Sequence, residues 1–533
     1  MASQTGHFDV VIIGAGPCGV TAANLLGSQG IDTLVVDKAA DVLPIPRAIG
    51  MCNEGARILQ GIGLYQRALQ DMRLIDKVRF LATGGQEIFH ADTGAQVNGF
   101  AEQHMFYQPH LERQLRDGLQ RHPSVQLETA CECLQIDQLD SGVRLWLKDA
   151  QGRRRQVTCQ YLLAADGARS TVRKVLGLDF KGKTYAQDWL ILDVGKDPCP
   201  NHELVFLCDP RRPGVTMSAP FGKRRWEFLI KDGESHQQML SDASVRQLLE
   251  PWGDAKAMQV ERRAVYTFHA RVAERFRDGR VFLLGDAAHI TPPFAGQGMM
   301  AGLRDAHNLS WKLAAVLRGR LGEQILDSYD RERRPQARQV IDFARFVGVT
   351  ILPQRRWSAS LRDGVFRGLK WLGLHSENKG LRLKKPCNHI NGSRWAHLWR
   401  GRALHLGIEI PQQPLFDEQG RVVSLDAHLA GQFHLIGADC DPLRFLADST
   451  LQRWRQLDGR SLTIASRPKV GALSDSRGDY RWLAGRRPVV LVRPDRMMVL
   501  RCSPRQLDRQ LNRYLDSIGC QPELDSHYLS PAY

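Results

Sequence analysis

The stretch FDVVIIGAGPCG, residues 8–19, decides the fold. Its β-branched and apolar residues at 10–13 predict a buried strand that ends at Gly14. Small and apolar side chains then recur with helical spacing as far as residue 26, which predicts a helix. The stretch therefore predicts a strand, a tight turn and a helix in immediate succession.

The glycines of this turn have the spacing of a dinucleotide-binding loop. Gly14 permits the turn, Gly16 lets the backbone approach a pyrophosphate, and Gly19 lets the helix pack on the strand. Free N–H groups at the helix N-terminus favour a negatively charged ligand. A second apolar strand at 31–36 ends in Asp37, whose carboxylate is placed to bind a ribose hydroxyl. The pattern predicts an adenine dinucleotide, and it leaves both NAD and FAD open.

Composition excludes several other classes of function. Of the 533 residues, 43% are hydrophobic and 24% are charged, which is typical of a globular chain. The net charge is +16, but the basic residues are spread along the chain without long runs, so we expect no nucleic-acid binding. Glycines and a proline interrupt the apolar N-terminal run, and we expect no stable membrane association.

The cysteine content indicates a reducing compartment. There are 11 cysteines, an odd number scattered along the chain, which favours free thiols and a cytoplasmic location over a disulfide framework. Cys131 and Cys133 have no second pair of ligands nearby, so we predict no metal site.

Two further predicted strands each end at an aspartate beside a glycine. Within YLLAADGARSTVRKVLG, residues 161–177, an apolar run ends at Asp166 and Gly167. Within VFLLGDAAHITPPFAGQG, residues 281–298, a second run ends at Gly285 and Asp286. Strand ends so far apart in sequence predict one ligand that is held from several parts of the chain.

The three motifs, in this order, resemble those of the class A flavoprotein aromatic hydroxylases, the family of para-hydroxybenzoate hydroxylase and phenol hydroxylase. The resemblance spans residues 8 to about 340 and continues more weakly to the C-terminus. It implies an α/β fold with a Rossmann-like FAD-binding domain, an inserted mixed β-sheet substrate domain and a thioredoxin-like C-terminal domain. The implied boundaries are 1–185 and 277–345 for the FAD-binding domain, 186–276 for the substrate domain, 346–400 for a helical linker, and 401–533 for the C-terminal domain.

The resemblance also implies roles for residues around FAD. Asp286 is expected to bind the ribityl chain, while Asp166 and Gly167 lie near the pyrophosphate and the side from which the nicotinamide approaches. Arg47, in PRAIGM at 46–51, is expected to contact FAD and to gate the active site, with an ordinary surface arginine as the alternative. Gln108, in FYQPHLERQL at 106–115, resembles a glutamine that reaches FAD.

The loop after Asp286 is expected to lie against the flavin ring. Pro293 and Gly298 shape this loop, and an apolar stripe that begins at Met299 predicts a helix from about residue 298. Its first N–H groups would face the pyrimidine edge of the flavin. The family often has asparagine where this chain has Met300, so only backbone donors remain at that position. We interpret His289 as an oriented structural residue and not as a base.

Residues 190–276 contain short runs in which apolar and polar residues alternate, and this pattern predicts a mixed sheet. Trp226 and Phe228 share one face, and Val215 and Met217 also share a face. Aromatic walls suit a planar aromatic substrate, so Met217, Trp226 and Phe228 are candidate substrate contacts. A plain sheet core explains the same pattern, and the sequence leaves both interpretations open.

Tyr266 resembles the tyrosine of phenol hydroxylase whose hydroxyl contacts the substrate phenol. His269 lies nearby in sequence and is a candidate for removing the phenolic proton, with an ordinary loop or core histidine as the alternative. Arg47, Tyr266 and His269 are thus the candidate catalytic residues. Among the branches of the family, the segments PRAIG, FKGKTYAQDW, CDP and ARVAERFR look most like 3-(3-hydroxyphenyl)propionate hydroxylase.

The last third of the chain predicts helices followed by strands. Residues 340–400 look helical and basic, and GQFHLIG and RRPVVLVRPDRMMVLRC predict strands of the C-terminal domain. Cys440 has no second cysteine in a CxxC arrangement, so disulfide exchange is not expected. A role of this domain in assembly, as in a homodimer, is the hypothesis that remains.

Together these features predict an FAD-dependent monooxygenase that consumes NAD(P)H and O₂ and hydroxylates a small phenolic compound. The family resemblance implies that the phenol ring attacks a flavin C4a-hydroperoxide. The same scaffold also hydroxylates polyketides, quinones and N-heterocycles, and a flavin-binding partner protein without turnover is an alternative of another class.

Overall fold

The dinucleotide-loop stretch forms the centre of the first sheet of the computed structural model, which describes residues 6–197, 202–351, 356–371 and 406–520. Val10, Val11 and Ile12 are completely buried. By its internal contacts the chain divides into two compact units. Unit 1 comprises Met1–Asn24, Asp32–Arg304 and Ala337–Cys387, and unit 2 comprises Leu25–Ile31, Asp305–Gln336 and Asn388–Tyr533.

Strands outnumber helices along the chain from Gly6 to Trp371. The strands are β1 Gly6–Ile13, β2 Thr33–Val36, β3 Gly50–Cys52, β4 Met72–Leu74, β5 Lys77–Leu81, β6 Glu87–Asp92, β7 Gln96–Val97, β8 Phe100–Ala101, β9 Gln103–Phe106, β10 Val125–Glu128, β11 Glu132–Leu139, β12 Gly142–Lys148, β13 Arg154–Ala164, β14 Phe180–Val194, β15 Glu203–Leu207, β16 Gly214–Ser218, β17 Arg224–Leu229, β18 Val260–Ala273, β19 Arg277–Asp278, β20 Val281–Leu283 and β21 His289–Ile290. The helices are α1 Pro17–Gly27, α2 Asn53–Gly61, α3 Tyr65–Leu69, α4 Gln108–Gly118, α5 Thr171–Val175, α6 His236–Met239, α7 Asp242–Leu249, α8 Gly298–Leu317, α9 Asp327–Ile351 and α10 Arg356–Trp371.

The first sheet of unit 1 has a parallel core in the order β10-β2-β1-β13, and β20 pairs with the end of β13. Strands β12 and β11 extend it with antiparallel pairing. Val10 lies between Thr33 and Tyr161, and Leu162 is in register with Val281. The carboxyl ends of β1, β2, β13 and β20 therefore lie along one edge, where open α/β sheets bind ligands.

The second sheet of unit 1 has eight strands in the order β21-β18-β14-β17-β16-β15-β5-β6. The β15–β5 pair is parallel and the other pairs are antiparallel, so the predicted mixed sheet is confirmed. Strands β5 and β6 come from outside the segment in which the sequence predicted this sheet. Local alternation cannot reveal such a pairing, because it joins segments that are distant in sequence.

The two faces of the second sheet pack against different partners. One face carries Trp226 and Phe228, which share a core with residues of α6 and α7. The opposite face carries Val215 and Met217, which pack with Ile75 and Met105. The second face thus meets the β3, β4 and β9 region of unit 1.

Unit 2 contains the predicted C-terminal α/β domain. Its strands are β22 Pro414–Phe416, β23 Val422–Ser424, β24 His434–Ala438, β25 Arg460–Ala465, β26 Leu473–Ser474, β27 Val489–Val492 and β28 Met498–Cys502, and its helices are α11 Leu425–Leu429, α12 Asp448–Gln456 and α13 Pro504–Ser517. The sheet order is β23-β22-β26-β25-β24-β27-β28, with parallel pairing of β24, β25 and β26. The predicted strands in GQFHLIG and RRPVVLVRPDRMMVLRC are thereby confirmed.

Four charged side chains form a buried network within unit 2. Glu332 accepts hydrogen bonds from Lys312 at 2.9 Å and from Arg493 at 2.7 Å, and Arg493 also pairs with Asp495. Two cations and two anions balance the charge. Burial lowers the pKa of Lys312 to about 8.

Helices α9 and α10 confirm the helical prediction after residue 340, as far as Trp371. The rest of the predicted helical linker, 372–400, lies outside the described residues. Among the helices that the structure describes, none is long and apolar enough to cross a membrane.

Candidate active site

The three glycines of the first motif differ in their surroundings as the sequence predicted. Gly14 has φ +105°, and a Cβ on it would lie 2.3 Å from the carbonyl oxygen of Ala165. A Cβ on Gly19 would lie 2.0 Å from the carbonyl oxygen of Gly14, so only glycine permits this helix-to-strand contact. A Cβ on Gly16 would meet no atom within 4 Å. The loop thus presents open backbone at Gly16, where a pyrophosphate would approach.

Asp37 lies directly beside this loop. Its carboxylate accepts hydrogen bonds from the backbone N–H of Ala15 at 2.7 Å and from that of Ala39 at 2.8 Å. The acid and the glycine loop are therefore brought together at the ends of β1 and β2. This arrangement fits the ribose of an adenine dinucleotide.

The first and third motifs pack against each other through small residues. Gly285 has φ +57°, and a Cβ on it would lie 3.3 Å from Cys18 on α1. The Cys18 thiol donates a hydrogen bond to the carbonyl of Gly302 on α8, at 3.1 Å. The N-terminal turns of α1 and α8 therefore approach each other beside the ends of β1 and β20.

Asp166 has a structural task that the sequence did not predict. One of its carboxylate oxygens accepts the N–H groups of Thr171 at 2.7 Å and Val172 at 3.2 Å, which caps α5. The other oxygen, Oδ1, is buried and has no hydrogen-bond partner among the described residues. Gly167 follows with φ +79°. The orphaned oxygen fits a ligand that donates a hydrogen bond at the edge of the first sheet.

Asp286 lies at the bottom of a recess. Its side chain is accessible to solvent, and yet protein surrounds it closely, so burial raises the pKa of its carboxyl above the ordinary value. The charges of Arg47 and His289 oppose this shift, which shows that both lie near Asp286. A carboxylate that is recessed but reachable fits a hydrogen bond to a sugar-like chain of a bound cofactor.

The loop after Asp286 follows the sequence prediction. Pro293 begins a single helical turn that ends at Gly296, and α8 begins at Gly298. Met299 is half-buried and Met300 is fully buried. The Met300 sulfur packs towards Gly55, where a Cβ would be only 2.7 Å away, so its side chain fills space against α2. The first N–H groups of α8 have no acceptor within the helix and are the donors that remain for a ligand.

His289 is a buried structural residue, as predicted. It is 1% exposed, its ring lies 5.6 Å from that of Phe276, and its backbone pairs β21 with β18.

Gln108 holds the Arg47 loop in place. Its side-chain oxygen accepts the N–H groups of Arg47 at 2.9 Å and Ala48 at 2.7 Å. The Gln108 amide is buried, whereas the Arg47 side chain is exposed, and its charge lowers the pKa of the Asp286 carboxyl. The glutamine therefore shapes the cofactor site through the loop.

A charged cluster beneath this loop was not predicted. Arg225 donates hydrogen bonds to Asp193 at 2.7 Å, to the carbonyl of Arg47 at 3.1 Å and to that of Pro46 at 2.5 Å. Arg262 binds Asp193 at 3.0 Å and donates to the hydroxyl of Tyr266. The sequence signal was present in RRWEFL, where charged residues alternate with apolar ones in a strand that is entirely buried.

His269 does not lie with Tyr266, and this corrects the sequence prediction. Tyr266 and Phe268 pack into one cluster with Trp189, whereas the imidazole of His269 contacts the hydroxyl of Thr184 at 3.0 Å. Side chains three apart on a strand face opposite ways. His269 is therefore not placed to take a proton from a ligand bound at Tyr266.

The candidate substrate contacts also divide between the two faces. Met217 lies on the face of the Arg225 cluster, since it is in register with Arg225 across the sheet. Trp226 and Phe228, 0% and 2% exposed, lie on the other face in the core with α6 and α7. Their prediction as substrate contacts is therefore corrected in favour of the sheet-core alternative, because strand residues 226 and 228 alternate with 225.

A cavity of about 450 Å³ adjoins the Arg47 loop. It is lined by the loop at Pro44, Ile45 and Pro46, and by Asp193 and Arg262 of the second sheet, among others. Among the described residues, no group of three or more His, Cys, Asp or Glu side chains is arranged to hold a metal ion.

These features fit FAD. The open backbone at Gly16, the carboxylate of Asp37, the orphaned oxygen of Asp166 and the recessed carboxyl of Asp286 lie along one sheet edge, where an extended dinucleotide would bind.

Comparison with known proteins gives the same result. The family model described as FAD binding domain matches residues 7–344, and that described as HcaD C-terminal domain matches residues 407–517. The 3-(3-hydroxy-phenyl)propionate/3-hydroxycinnamic acid hydroxylases of Escherichia coli (strain K12 / DH10B) and Shigella sonnei (strain Ss046) are each 35% identical over 520 residues, which is 95% of this chain and 93% of theirs.

Solved structures share the fold. The flavin-dependent monooxygenase PieE, in complex with FAD and substrate, has a TM-score of 0.80 at 21% identity and covers 97% of this chain and 100% of its own. The anhydrotetracycline hydroxylase OxyS from Streptomyces rimosus has a TM-score of 0.74 at 27% identity, with the same coverage. The chain therefore belongs to the FAD-binding-domain family of flavoprotein aromatic hydroxylases, and it is an FAD-dependent monooxygenase that uses NAD(P)H as co-substrate.

Proposed function

We propose that this enzyme hydroxylates the ring of a phenol that carries a short carboxylate side chain, of the 3-(3-hydroxyphenyl)propionate kind, next to the existing hydroxyl. The identity of 35% across nearly the whole chain to hydroxylases named for this substrate supports the proposal. The observation that carries it concerns the Arg225 guanidinium. It donates hydrogen bonds both to the carbonyl of Arg47, in the loop beside the cofactor site, and to Asp193, on the substrate-facing side of the second sheet.

The chain's own residues are proposed to bind and orient both partners. Gly16, Asp37, Asp166 and Asp286 hold FAD, and Arg47 lies over the same recess. Bound FAD supplies the activation of O₂ and the transfer of one oxygen atom to the ring.

The second sheet supplies the substrate side. By strand register Tyr266 shares its face with Met217, and its hydroxyl already accepts a hydrogen bond from Arg262. The hydroxyl hydrogen of Tyr266 is therefore free to be donated to the phenolic oxygen of a substrate. Apolar Met217, Val215 and Ile75 exclude water from the ring.

The test begins with the absorption spectrum of the purified protein and continues with NAD(P)H oxidation in the presence and absence of phenols. We expect bound flavin, and oxidation that is faster with 3-(3-hydroxyphenyl)propionate than with phenol, together with a catechol product. Flavin without a response to any phenol would contradict the substrate proposal and direct the search to polyketides, quinones or N-heterocycles.

A single substitution tests the cofactor site. Asp286→Ala removes the recessed carboxylate, and we expect the purified variant to hold much less FAD per chain than the wild type. The matched control is Asp149→Ala, which removes a partly exposed turn carboxylate that accepts hydrogen bonds from Gln151 and Arg153. Equal flavin content in the wild type and both variants would show that Asp286 is not a cofactor ligand.

A further inference from the structure

Glu227 is a buried carboxyl on the substrate-facing side of the second sheet. It is 9% exposed and lies on β17, in register with Ile191 of β14 and Val215 of β16. The face that it shares also carries Met217 and, across β14, Tyr266. Its carboxyl therefore faces the side of the sheet to which we assign the phenol.

The nearby cations do not form hydrogen bonds to this carboxyl. The closest, Arg225 Nη1, is 4.0 Å from Glu227 Oε1, which is beyond hydrogen-bond distance. Arg225 directs its donors instead to Asp193 and to the Pro46 and Arg47 carbonyls. Among the described residues, none donates a hydrogen bond to Glu227, so its oxygens keep their capacity to accept one.

The charged groups around Glu227 are those of the cluster already described. Burial raises the pKa of Glu227 above the ordinary value, the charge of Arg225 opposes this effect, and that of Asp193 adds to it. Arg262, from β18, binds Asp193 and the Tyr266 hydroxyl. The Glu227 side chain keeps 11% exposure, so its oxygens can be reached, and no described residue donates a hydrogen bond to them. A ligand that enters this side of the sheet can therefore supply the missing donor.

We propose that Glu227 accepts the hydrogen bond of the substrate's phenolic hydroxyl and then takes its proton. The inference rests on the proposed function, because it requires a ligand with an acidic hydroxyl. A substrate carboxylate cannot occupy the same place, since two like charges would face each other in an apolar environment. Glu227 thereby sets the orientation of the substrate, with its hydroxyl towards β17 and its carboxylate away from it.

The proton transfer balances without a further reactant. The phenolic O–H bond breaks, its electron pair stays on oxygen, and the proton moves to a Glu227 oxygen. The phenolate ring is richer in electrons at the carbon next to the oxygen, which is the carbon to be hydroxylated. The carboxyl becomes neutral in the transfer, which its buried surroundings favour. Glu227 gives this proton up to solvent after the product has left, which restores the carboxylate for the next substrate.

The test uses a chromophoric phenol, 4-nitrophenol, bound to the FAD-loaded enzyme without NAD(P)H. Its absorption reports directly whether the bound molecule is the phenol or the phenolate. We expect the wild type to bind the phenolate form at lower pH than Glu227→Gln does, by about one pH unit or more. The control is Glu203→Gln on β15 of the same sheet, whose carboxylate is held by Arg79 at 3.1 Å.

Identical titrations of wild type and Glu227→Gln would overturn the proposal. A purely structural role would lower the melting temperature and flavin content of Glu227→Gln and leave the titration of the bound probe unchanged. Glu227→Asp keeps an acceptor and is expected to recover part of the shift. Since the probe is read without turnover, it reports on Glu227 even if no propionate-bearing phenol is a substrate.

Steady-state kinetics give a second readout. With a phenol that stimulates oxidation, we expect kcat/KM for that phenol to fall about tenfold or more in Glu227→Gln. The KM for NAD(P)H should not change. The acid limb of the wild-type profile of kcat/KM against pH should be lost in Glu227→Gln, because the limb reflects protonation of this carboxyl. An acid limb that persists unchanged would contradict the assignment.

Discussion

Gly16 and Gly19 belong to the same turn, but the structure predicts opposite consequences for replacing them. Gly16→Ala adds a methyl group where no protein atom lies within 4 Å, so the apoprotein should keep its melting temperature. The methyl occupies the approach to the backbone, and we expect FAD affinity to fall by about tenfold or more, which corresponds to about 1.4 kcal/mol. Thermal unfolding of the flavin-free protein and a flavin fluorescence titration measure the two effects separately.

Gly19→Ala is the matched comparison. Its methyl group would lie 2.0 Å from the Gly14 carbonyl oxygen, so α1 must move away from β1. We expect the free energy of unfolding to fall by about 1–3 kcal/mol, together with a loss of FAD affinity. If Gly16→Ala destabilised the apoprotein as much as Gly19→Ala does, the open space assigned to the pyrophosphate would be wrong.

The sequence predicted single residues well where one local motif determined their surroundings. The roles of Gly14, Gly16 and Gly19 follow from their spacing within one turn. The capping role of Asp166 could not be predicted from its motif, because its hydrogen bonds to the start of α5 depend on how the chain turns after β13. Arg225 and Glu227 could not be assigned from sequence, since their neighbours come from strands and loops far away in the chain.

At the scale of an element, β17 separates stability from substrate contact by simple alternation. Phe228→Leu changes the core with α6 and α7, and we expect the free energy of unfolding to fall by about 1 kcal/mol with the KM for the phenol unchanged. Met217→Ala, on the neighbouring strand β16 and on the face that Arg225 of β17 shares, should change that KM severalfold. Urea unfolding and steady-state kinetics of both variants test the assignment, and a similar KM change in the two would contradict it.

The sequence predicted which strand residues share a face of the second sheet, but it could not predict which of the two faces is turned to the substrate. The sequence showed that Trp226 and Phe228 share a face, as Val215 and Met217 do. Which face turns to the substrate depends on what covers the sheet, namely α6 and α7 on one side and the β3, β4 and β9 region on the other. For the same reason, closeness in sequence did not reveal that His269 and Tyr266 lie on opposite faces of β18.

At the scale of the whole molecule, the buried network of unit 2 links stability to pH. Burial alone would raise the pKa of Glu332, but the Arg493 and Lys312 charges lower it well below its ordinary value of 4.5. A carboxyl with a lowered pKa in the folded state stabilises that state above the unfolded pKa, and this contribution is lost as the pH falls. We therefore expect the melting transition of unit 2 to move down steeply below about pH 4.5.

Glu332→Gln tests this expectation. The variant should be less stable at neutral pH by about 3–5 kcal/mol, because Lys312 and Arg493 lose their shared anion. Its stability should also depend less on pH between about pH 3 and pH 5. Thermal unfolding across this range measures both effects. Glu418→Gln, at an exposed carboxylate, is the control and should follow the wild type.

The overall architecture was largely predictable, because the three motifs, their order and the strand patterns all follow from local sequence. The sequence divided the molecule into five segments. Residues 305–336, which the prediction assigned to the FAD-binding domain, have their internal contacts within unit 2. Such grouping depends on contacts between distant segments, as in the network of Glu332 with Arg493.

The pairing of β13 with β20 has a consequence for how the chain folds. The end of β13 can pair with β20 only after β14 to β18 have been synthesised. The paired residues are Leu162 with Val281, Leu163 with Phe282, and Ala164 with Leu283. Until then, the end of β13 is an open strand edge, and loop closure of this length slows folding. We therefore expect the nascent chain to remain dependent on chaperones until residue 283 has left the ribosome, and cofactor loading to be a late step in its maturation.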